Sequence, residues 1–172
     1  QKLFRAIYGY KQLVCKANGK RYPYYRKGVL SDYPYIKPGK NSVIIPTDAL
    51  HPLRLFFETG TNPTHKWRNK GEWKVQYVLS EEDIDAKQIA KACEDWLART
   101  YLFVNEEVVG IKDNLLFPEK LLEKDPQYIS LVLSEGKRIM SHYWFKESFL
   151  FSEELKKVYE NYRALVERQK NQ

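Results

Sequence analysis

One short stretch of the sequence mixes aromatic rings with cationic side chains. Its members are Arg21, Tyr22, Tyr24, Tyr25, Arg26, Lys27, Tyr33, Tyr35 and Lys37. Nucleic-acid surfaces use both types, because cations neutralise phosphates while aromatic faces stack exposed bases at ~1–3 kcal/mol each. Some of these tyrosines are also expected to pack in the core with their hydroxyls at the surface. The mixture favours a nucleic-acid surface over a purely structural interpretation.

A tryptophan lies in a second cationic stretch. Trp67 is flanked by Lys66, Arg68 and Lys70, in a segment without a strong helix or strand pattern. An indole in such a loop can form one wall of a pocket for a flat, cationic or methylated ring. Trp73, at the start of the following strand-like run, is expected to close the end of a sheet.

The run from residue 66 to residue 78 resembles part of the YTH domain, the methylated-adenine reader of the PUA-like group that includes EVE domains. Lys66-Trp67 is followed by Trp73-Lys74-Val75-Gln76-Tyr77-Val78, which is similar to the family's strand of the form aromatic-x-Val-x-aromatic-Val/Ile. In the family, the tryptophan that matches Trp67 lines the cage around the methylated base. The family's second cage tryptophan has no counterpart, since no Trp precedes Trp67, and a tyrosine between residues 22 and 35 would have to replace it.

The resemblance implies a non-catalytic reader domain of the kind found at the N-terminus of McrBC-type restriction subunits, with motor and nuclease elsewhere in a longer chain or a multi-subunit restriction complex. We expect it to bind DNA rather than RNA and to accept a flipped, methylated base, with methyladenine favoured. The predicted pocket residues are Trp67, Tyr22, Tyr24, Tyr25 and Tyr33. The predicted backbone-binding residues are Arg21, Arg26, Lys27, Lys66, Arg68 and Lys70. No cofactor is expected.

A catalytic alternative uses a different set of residues. Asp48 follows Pro46-Thr47, and Glu72 and Lys74 are spaced to share one face of a strand, which spells the acid, acid-x-lysine pattern of PD-(D/E)XK nucleases. The carboxylates would bind a divalent cation, and the lysine would help position the attacking water. No acid precedes Asp32, so a further carboxylate from an N-terminal helix is missing. The nuclease therefore ranks second, and a protein-interaction module with tyrosine hot spots ranks third.

Other chemistry has little support in the sequence. His51, His65 and His142 lie far apart, with no paired spacing and no thiolate pair beside them, so no zinc site is predicted. No glycine-rich stretch ends in Lys-Ser or Lys-Thr, which argues against a nucleotide-driven motor. Cys93 is expected in the core of its helix rather than as a nucleophile.

The charge is unevenly distributed along the chain. The 172 residues contain 29 Lys+Arg and 22 Asp+Glu, a net charge of +7. Residues 1–47 carry +9, because their ten basic residues are opposed by Asp32 alone, and the remainder carries −2. This asymmetry is expected of a protein that binds a polyanion. No apolar run approaches the ~20 residues of a membrane span, so we expect a cytoplasmic protein with no membrane partner.

The elements that position these residues are expected to be strands in the first half and helices in the second. Strands are predicted within 3–16, 20–26, 42–45, 53–58, 72–79, 129–133 and 148–151, with a turn at 17–19 making a basic hairpin. Helices are predicted near 85–103 behind the cap Asp85, over 118–124, and over 152–169 behind the cap Ser152. The predicted fold is a single α+β domain over 1–172, with a PUA-like twisted, mostly antiparallel sheet or small barrel flanked by helices.

Overall fold

The computed structural model describes residues 2–17, 19–60, 74–80, 83–104 and 107–171. Helix accounts for 58% of these residues and strand for 18%, which confirms the α+β class. The chain divides into two compact units, residues 1–84 and 85–172. The described strands pair as three separate two-stranded antiparallel sheets, and they do not form a closed barrel.

The first unit combines short helices with two of the small sheets. Its described elements are α1 (Lys2–Tyr8), β1 (Tyr10–Cys15), β2 (Arg21–Arg26), β3 (Ile36–Gly39), β4 (Ser42–Ile44), a 3-10 turn (Thr47–Ala49) and α2 (Leu50–Thr59). The core of this unit is a cluster of buried side chains, namely Ala6, Ile7, Val29, Leu30, Ala49, Leu53 and Phe56. Both helices contribute to that cluster, whereas neither strand of the β1–β2 hairpin does.

Helix α2 occupies a segment whose residues 53–58 were expected to form a strand. Its buried positions Leu53 and Phe56, together with Ala49 immediately before the helix, follow the three-to-four-residue spacing of a helix face. The helix ends at Gly60, which adopts a left-handed φ of 71° and donates its N–H to the carbonyl of Phe56 at 2.8 Å. Glycine takes this conformation without a Cβ clash, so it is a common helix terminator. The strand prediction was wrong because these aromatic and branched side chains pack on one helical stripe.

The second unit is mainly helical. Its described elements are α3 (Ala86–Arg99), β5 (Tyr101–Val104), β6 (Glu107–Gly110), α4 (Ile111–Leu116), α5 (Pro118–Leu122), α6 (Pro126–Ser141), α7 (Tyr143–Ser148), a 3-10 turn (Phe149–Phe151) and α8 (Glu153–Lys170). Fully buried side chains come from most of these helices, and include Cys93, Trp96, Leu115, Ile139, Phe145 and Leu155. Helices α6 and α8 pack closely at Gly136, where an added Cβ would lie 3.0 Å from the ring of Tyr162.

Side-chain caps begin the two helices that the sequence placed most firmly. Asp85 accepts a hydrogen bond from the backbone N–H of Lys87 at 3.0 Å, and Ser152 accepts one from Leu155 at 3.1 Å. Each bond satisfies a donor that the first helical turn leaves unpaired. The helix predicted near 85–103 ends at Arg99, because the next residue is extended and leads into β5.

Further strand predictions were wrong in the second unit and at the beginning of the first. Residues 129–133 lie within α6, which Asp125 caps and Pro126 opens, a position that suits proline because its missing N–H is not needed there. Residues 149–151 form a 3-10 turn instead of a strand, and α1 occupies much of the stretch predicted as strand before residue 10. The described residues 74–79 are neither helix nor strand. In these segments, burial of one helix face outweighs the weak strand propensity of the individual residues.

No helix in the described part of the chain combines the length and the apolar character needed to cross a membrane.

Candidate nucleic-acid interface

Strands β1 and β2 form an antiparallel ribbon, and we refer to residues 10–27 as the basic arm. Residues paired directly across the strands have their side chains on the same face of the ribbon, so the register assigns every strand side chain to one of two faces. The outer face carries Lys11, Leu13, Cys15, Arg21, Pro23 and Tyr25, all exposed except the half-buried Tyr25. The inner face carries Tyr10, Gln12, Val14, Tyr22, Tyr24 and Arg26, all half-buried except the exposed Gln12. The hairpin expected from the turn at 17–19 is therefore confirmed.

The basic arm has only cations among its charged side chains. It contains Lys11, Lys16, Lys20, Arg21, Arg26 and Lys27, and no Asp or Glu. The turn brings Lys16 and Lys20 together, since the N–H of Lys16 donates to the carbonyl of Lys20 at 3.0 Å. Gly19 permits that turn with a left-handed φ of 74°. The arm is thus a compact source of positive potential.

Cations also cover aromatic rings on and beside the inner face. Lys16 Nζ lies 4.5 Å from the ring centre of Tyr22, and the guanidinium carbon of Arg26 lies 6.0 Å from that of Tyr24. Cation–π contacts of this kind contribute ~0.5–1 kcal/mol at exposed sites. An isolated two-stranded hairpin is marginal in water, so these contacts help to stabilise the arm.

A buried serine fixes the base of the arm. Ser31 is 3% exposed. Its hydroxyl accepts hydrogen bonds from the backbone N–H of Gly28 at 2.8 Å and from the hydroxyl of Tyr25 at 3.2 Å, and it donates one to the carbonyl of Tyr8 at 3.4 Å. Gly28 passes so close to Gly9 and Ile7 that a Cβ would collide with their backbone. The end of α1, the base of the hairpin and the following turn are therefore joined at one point.

A lysine outside the arm lies over two tyrosine rings that pack against the buried cluster of this unit. Lys37 Nζ lies 3.5 Å from the ring centre of Tyr8 and 5.4 Å from that of Tyr35. Burial, with a smaller contribution from Tyr35, raises the pKa of Tyr8 above its ordinary value, so its hydroxyl remains protonated at neutral pH. Lys37 thus stabilises the packing of the two tyrosines.

The four tyrosines proposed for the base pocket lie in three different settings. Tyr22 and Tyr24 share the inner face of the arm, whereas Tyr25 is on the outer face with its hydroxyl bound to Ser31. Tyr33 packs against the buried cluster of the first unit. Trp67 lies outside the described residues. The structure thus brings together Tyr22 and Tyr24 alone among the described members of the predicted pocket.

The predicted backbone-binding cations also differ in their surroundings. Arg21 is exposed on the outer face, whereas Arg26 is half-buried over Tyr24. Lys27 makes an ion pair with Asp32, with Nζ and Oδ1 2.9 Å apart. Lys66, Arg68 and Lys70 lie outside the described residues. The predicted set did not include Lys16 and Lys20, which the turn brings beside Arg21, although their position on either side of that turn was a usable signal.

The residues of the nuclease hypothesis are only partly described. Asp48 is exposed in the 3-10 turn before α2, Lys74 is exposed in a segment without helix or strand, and Glu72 lies outside the described residues. No group of three or more His, Cys, Asp or Glu in the described part of the chain is arranged to hold a metal ion.

The two cysteines lie in contrasting environments. Cys15 is exposed at the end of β1, on the outer face of the arm, and Cys93 is buried in α3, as its helical spacing predicts. Burial raises the pKa of the Cys93 thiol to about 12, an effect that the hydrogen bond from Ser148 reduces only in part. Cys93 is therefore a core residue with very little thiolate at neutral pH.

Comparison with known proteins gives no relative from which a role could be transferred. No protein-family model, no curated protein and no solved structure matches this chain.

Proposed function

We propose that this chain is a nucleic-acid-binding protein that binds the phosphate backbone through its basic arm. The arm itself is the observation that carries the proposal: a ribbon with six cations, four of them exposed, and no acid. Core packing does not account for its exposed cations, because none of the arm's side chains belongs to the buried cluster of its unit. Clustered cations on one element are the electrostatic footprint of a polyanion site.

The finer part of the proposal is a modified-base reader. Trp67 forms a wall of an aromatic pocket that accepts a flipped base from DNA, with methyladenine as the favoured ligand. The resemblance of residues 66–78 to the YTH domain supports this part, as does the cationic setting of Trp67. A PUA-like arrangement of the sheet and a place in a restriction complex belong to the same proposal. Extruding a base costs a few kcal/mol, which stacking and hydrogen bonds in the pocket must offset.

Salt dependence tests the coarser proposal. Fluorescence anisotropy with labelled oligonucleotides, repeated over a range of salt concentrations, gives the slope of log affinity against log salt. Contacts to five or six phosphates predict a slope of about −5 on duplex DNA, because each contact releases condensed counterions. Salt-independent binding, or no binding to any nucleic acid, contradicts the proposal.

Charge reversal locates the interface. The variant K16E/K20E/R21E removes three exposed cations from the arm, and its salt slope should be shallower by about 3. A matched control, K87E/K137E/K146E, reverses three exposed lysines of the second unit and should leave the slope unchanged. Equal losses in the two variants would place the interface elsewhere.

The nuclease remains the competing proposal. Incubation of the protein with plasmid and single-stranded DNA plus magnesium or manganese distinguishes the two, and we expect no cleavage. Cleavage that is lost in the Asp48→Ala or Glu72→Ala variant would favour the nuclease hypothesis over the reader hypothesis.

A further inference from the structure

The dimensions of the basic arm match those of a DNA groove. Each strand has six residues, so the ribbon extends over ~20 Å, which corresponds to about six base pairs at ~3.4 Å each. Its two strands lie ~4.8 Å apart, and the major groove of B-DNA, ~12 Å wide, admits a two-stranded ribbon. Among the described helices and strands, neither β1 nor β2 packs extensively on any element but the other. On its outer face, five of the six strand residues are exposed, so this face is accessible to a groove.

The outer face also presents an exposed apolar pair. Leu13 is 68% exposed and lies directly opposite the exposed Pro23. Neither side chain belongs to the buried cluster of the first unit. The exposed cations Lys11 and Arg21 lie on the same face, each two residue pairs along the ribbon from Leu13–Pro23, in opposite directions. An apolar centre between cations is complementary to a groove whose floor carries base edges and whose walls carry phosphates.

We propose that the outer face of the basic arm enters the major groove of duplex DNA, with Leu13 and Pro23 against thymine methyl groups. Lys11 and Arg21 then lie toward the phosphates or the acceptor atoms of guanine, which cations contact in that groove. This assignment rests on the proposed nucleic-acid function and narrows it to one polymer and one face of the arm.

The inner face is poorly suited to the main alternative, a stacking platform for single strands. Stacking on Tyr22 or Tyr24 would have to displace or share a cation already positioned over that ring. Both side chains are half-buried, in contrast to the exposed Leu13 and Pro23. The arm therefore offers an open surface on the side that fits a groove.

Duplex RNA is the second alternative, and its geometry argues against it. The A-form major groove is deep and narrow, so that protein side chains cannot read it. We expect duplex DNA to bind at least about tenfold more tightly than duplex RNA of the same sequence, since only the phosphate contacts remain in RNA.

The experiment compares Leu13→Ala with Gln12→Ala, its neighbour on the inner face, by anisotropy on four probes of one sequence. The probes are duplex DNA, the same duplex with deoxyuridine in place of thymidine, duplex RNA and single-stranded DNA. Leu13→Ala should weaken binding to duplex DNA about tenfold, with an unchanged salt slope, because it removes apolar contact and no charge. Loss of the thymine methyls should weaken binding of the wild type about fourfold or more and that of Leu13→Ala hardly at all. Gln12→Ala should behave as the wild type.

The outcomes separate this inference from the proposed function. Salt-sensitive binding with Leu13→Ala equal to Gln12→Ala, or with duplex RNA or single strands bound as tightly as duplex DNA, overturns the groove assignment and leaves the function standing. Absence of salt-sensitive binding to all four probes overturns both. Thermal unfolding of the two variants should match that of the wild type because both side chains are exposed, and a fall for Leu13→Ala alone would show that its role is structural.

Discussion

The Ser31 hydroxyl connects three groups at the base of the basic arm: the Gly28 N–H, the Tyr25 hydroxyl and the Tyr8 carbonyl. A buried hydroxyl with its donor and acceptor capacity used in this way stabilises the fold chiefly by preventing unsatisfied polar groups. The sequence gives no sign of this role, because a serine before Asp32 is just as typical of a helix cap. Its bonds reach residues up to 23 positions away, and only the folded chain brings those groups together.

Replacing Ser31 with Ala should destabilise the protein by about 1–3 kcal/mol, since the buried N–H of Gly28 loses its acceptor. The measurement is urea unfolding, with the exposed Ser134→Ala in α6 as a control that should lie within about 0.5 kcal/mol of the wild type. Equal stability of the two variants would show that the hydroxyl does not hold the base of the arm.

Trp67→Ala tests the base-reading part of the proposal at a single residue. Loss of one stacking wall should weaken binding to the preferred, methylated substrate by about 1–3 kcal/mol, or roughly tenfold to a hundredfold. Non-specific binding through the basic arm should survive, because its cations are unchanged. Melting temperature and binding to modified and unmodified DNA are measured together. A large drop in melting temperature with unchanged substrate preference would mean that Trp67 is a packing residue.

At the scale of elements, the sequence predicted structure correctly where local interactions between nearby residues determine it. Asp85 and Ser152 cap the helices they were expected to cap, and the turn around Gly19 produces the basic hairpin. It failed where apolar residues could suit either a strand or a helix, as in α2 and α6. In those segments the buried stripe and the terminating Gly60 or the opening Pro126 were the better signals. The hairpin could be predicted, but its division into an outer and an inner face required the register.

Ser152 links two helices as well as capping one. Its hydroxyl accepts the N–H of Leu155 at the start of α8 and donates to Glu94 of α3, with an Oγ–Oε1 distance of 2.6 Å. Burial on its own would raise the pKa of Glu94, but the hydrogen bonds from Ser152 and Lys91, together with the charges of Lys91 and Lys112, outweigh burial and leave that pKa below its ordinary value. The folded state therefore favours ionised Glu94, and this part of the stability is lost as the pH falls through the lowered pKa.

The cost of Ser152→Ala should consequently depend on pH. At pH 7 the variant loses the cap and the bond to a carboxylate, about 1–3 kcal/mol together. At a pH below the pKa of Glu94 the carboxyl is protonated, so the cost should shrink toward that of the cap alone, ~1 kcal/mol. Urea unfolding at the two pH values measures the difference, and Ser130→Ala on the surface of α6 serves as the control. A cost that does not change with pH would contradict the coupling.

At the scale of the whole molecule, the uneven charge of the sequence follows the division of the structure. The first unit, residues 1–84, carries a net charge of +8, and the second, residues 85–172, carries −1. The charge asymmetry was readable from the sequence, since it needs only a count. The boundary between the units was not, because no proline- or glycine-rich linker marks it. A basic first unit and a nearly neutral second unit fit a protein whose polyanion contacts are confined to one unit.

The most direct test of the central claim uses the thiol at the end of the arm. Cys15 is exposed on the outer face, whereas Cys93 is buried with a raised pKa, so a neutral alkylating reagent such as iodoacetamide should modify Cys15 selectively. With duplex DNA at ten times its measured Kd, labelling of Cys15 should slow about tenfold, because only the free protein reacts. Raising the salt concentration should restore the rate as the DNA dissociates. Unchanged labelling of Cys15 with the DNA bound would show that the outer face of the arm is not the interface.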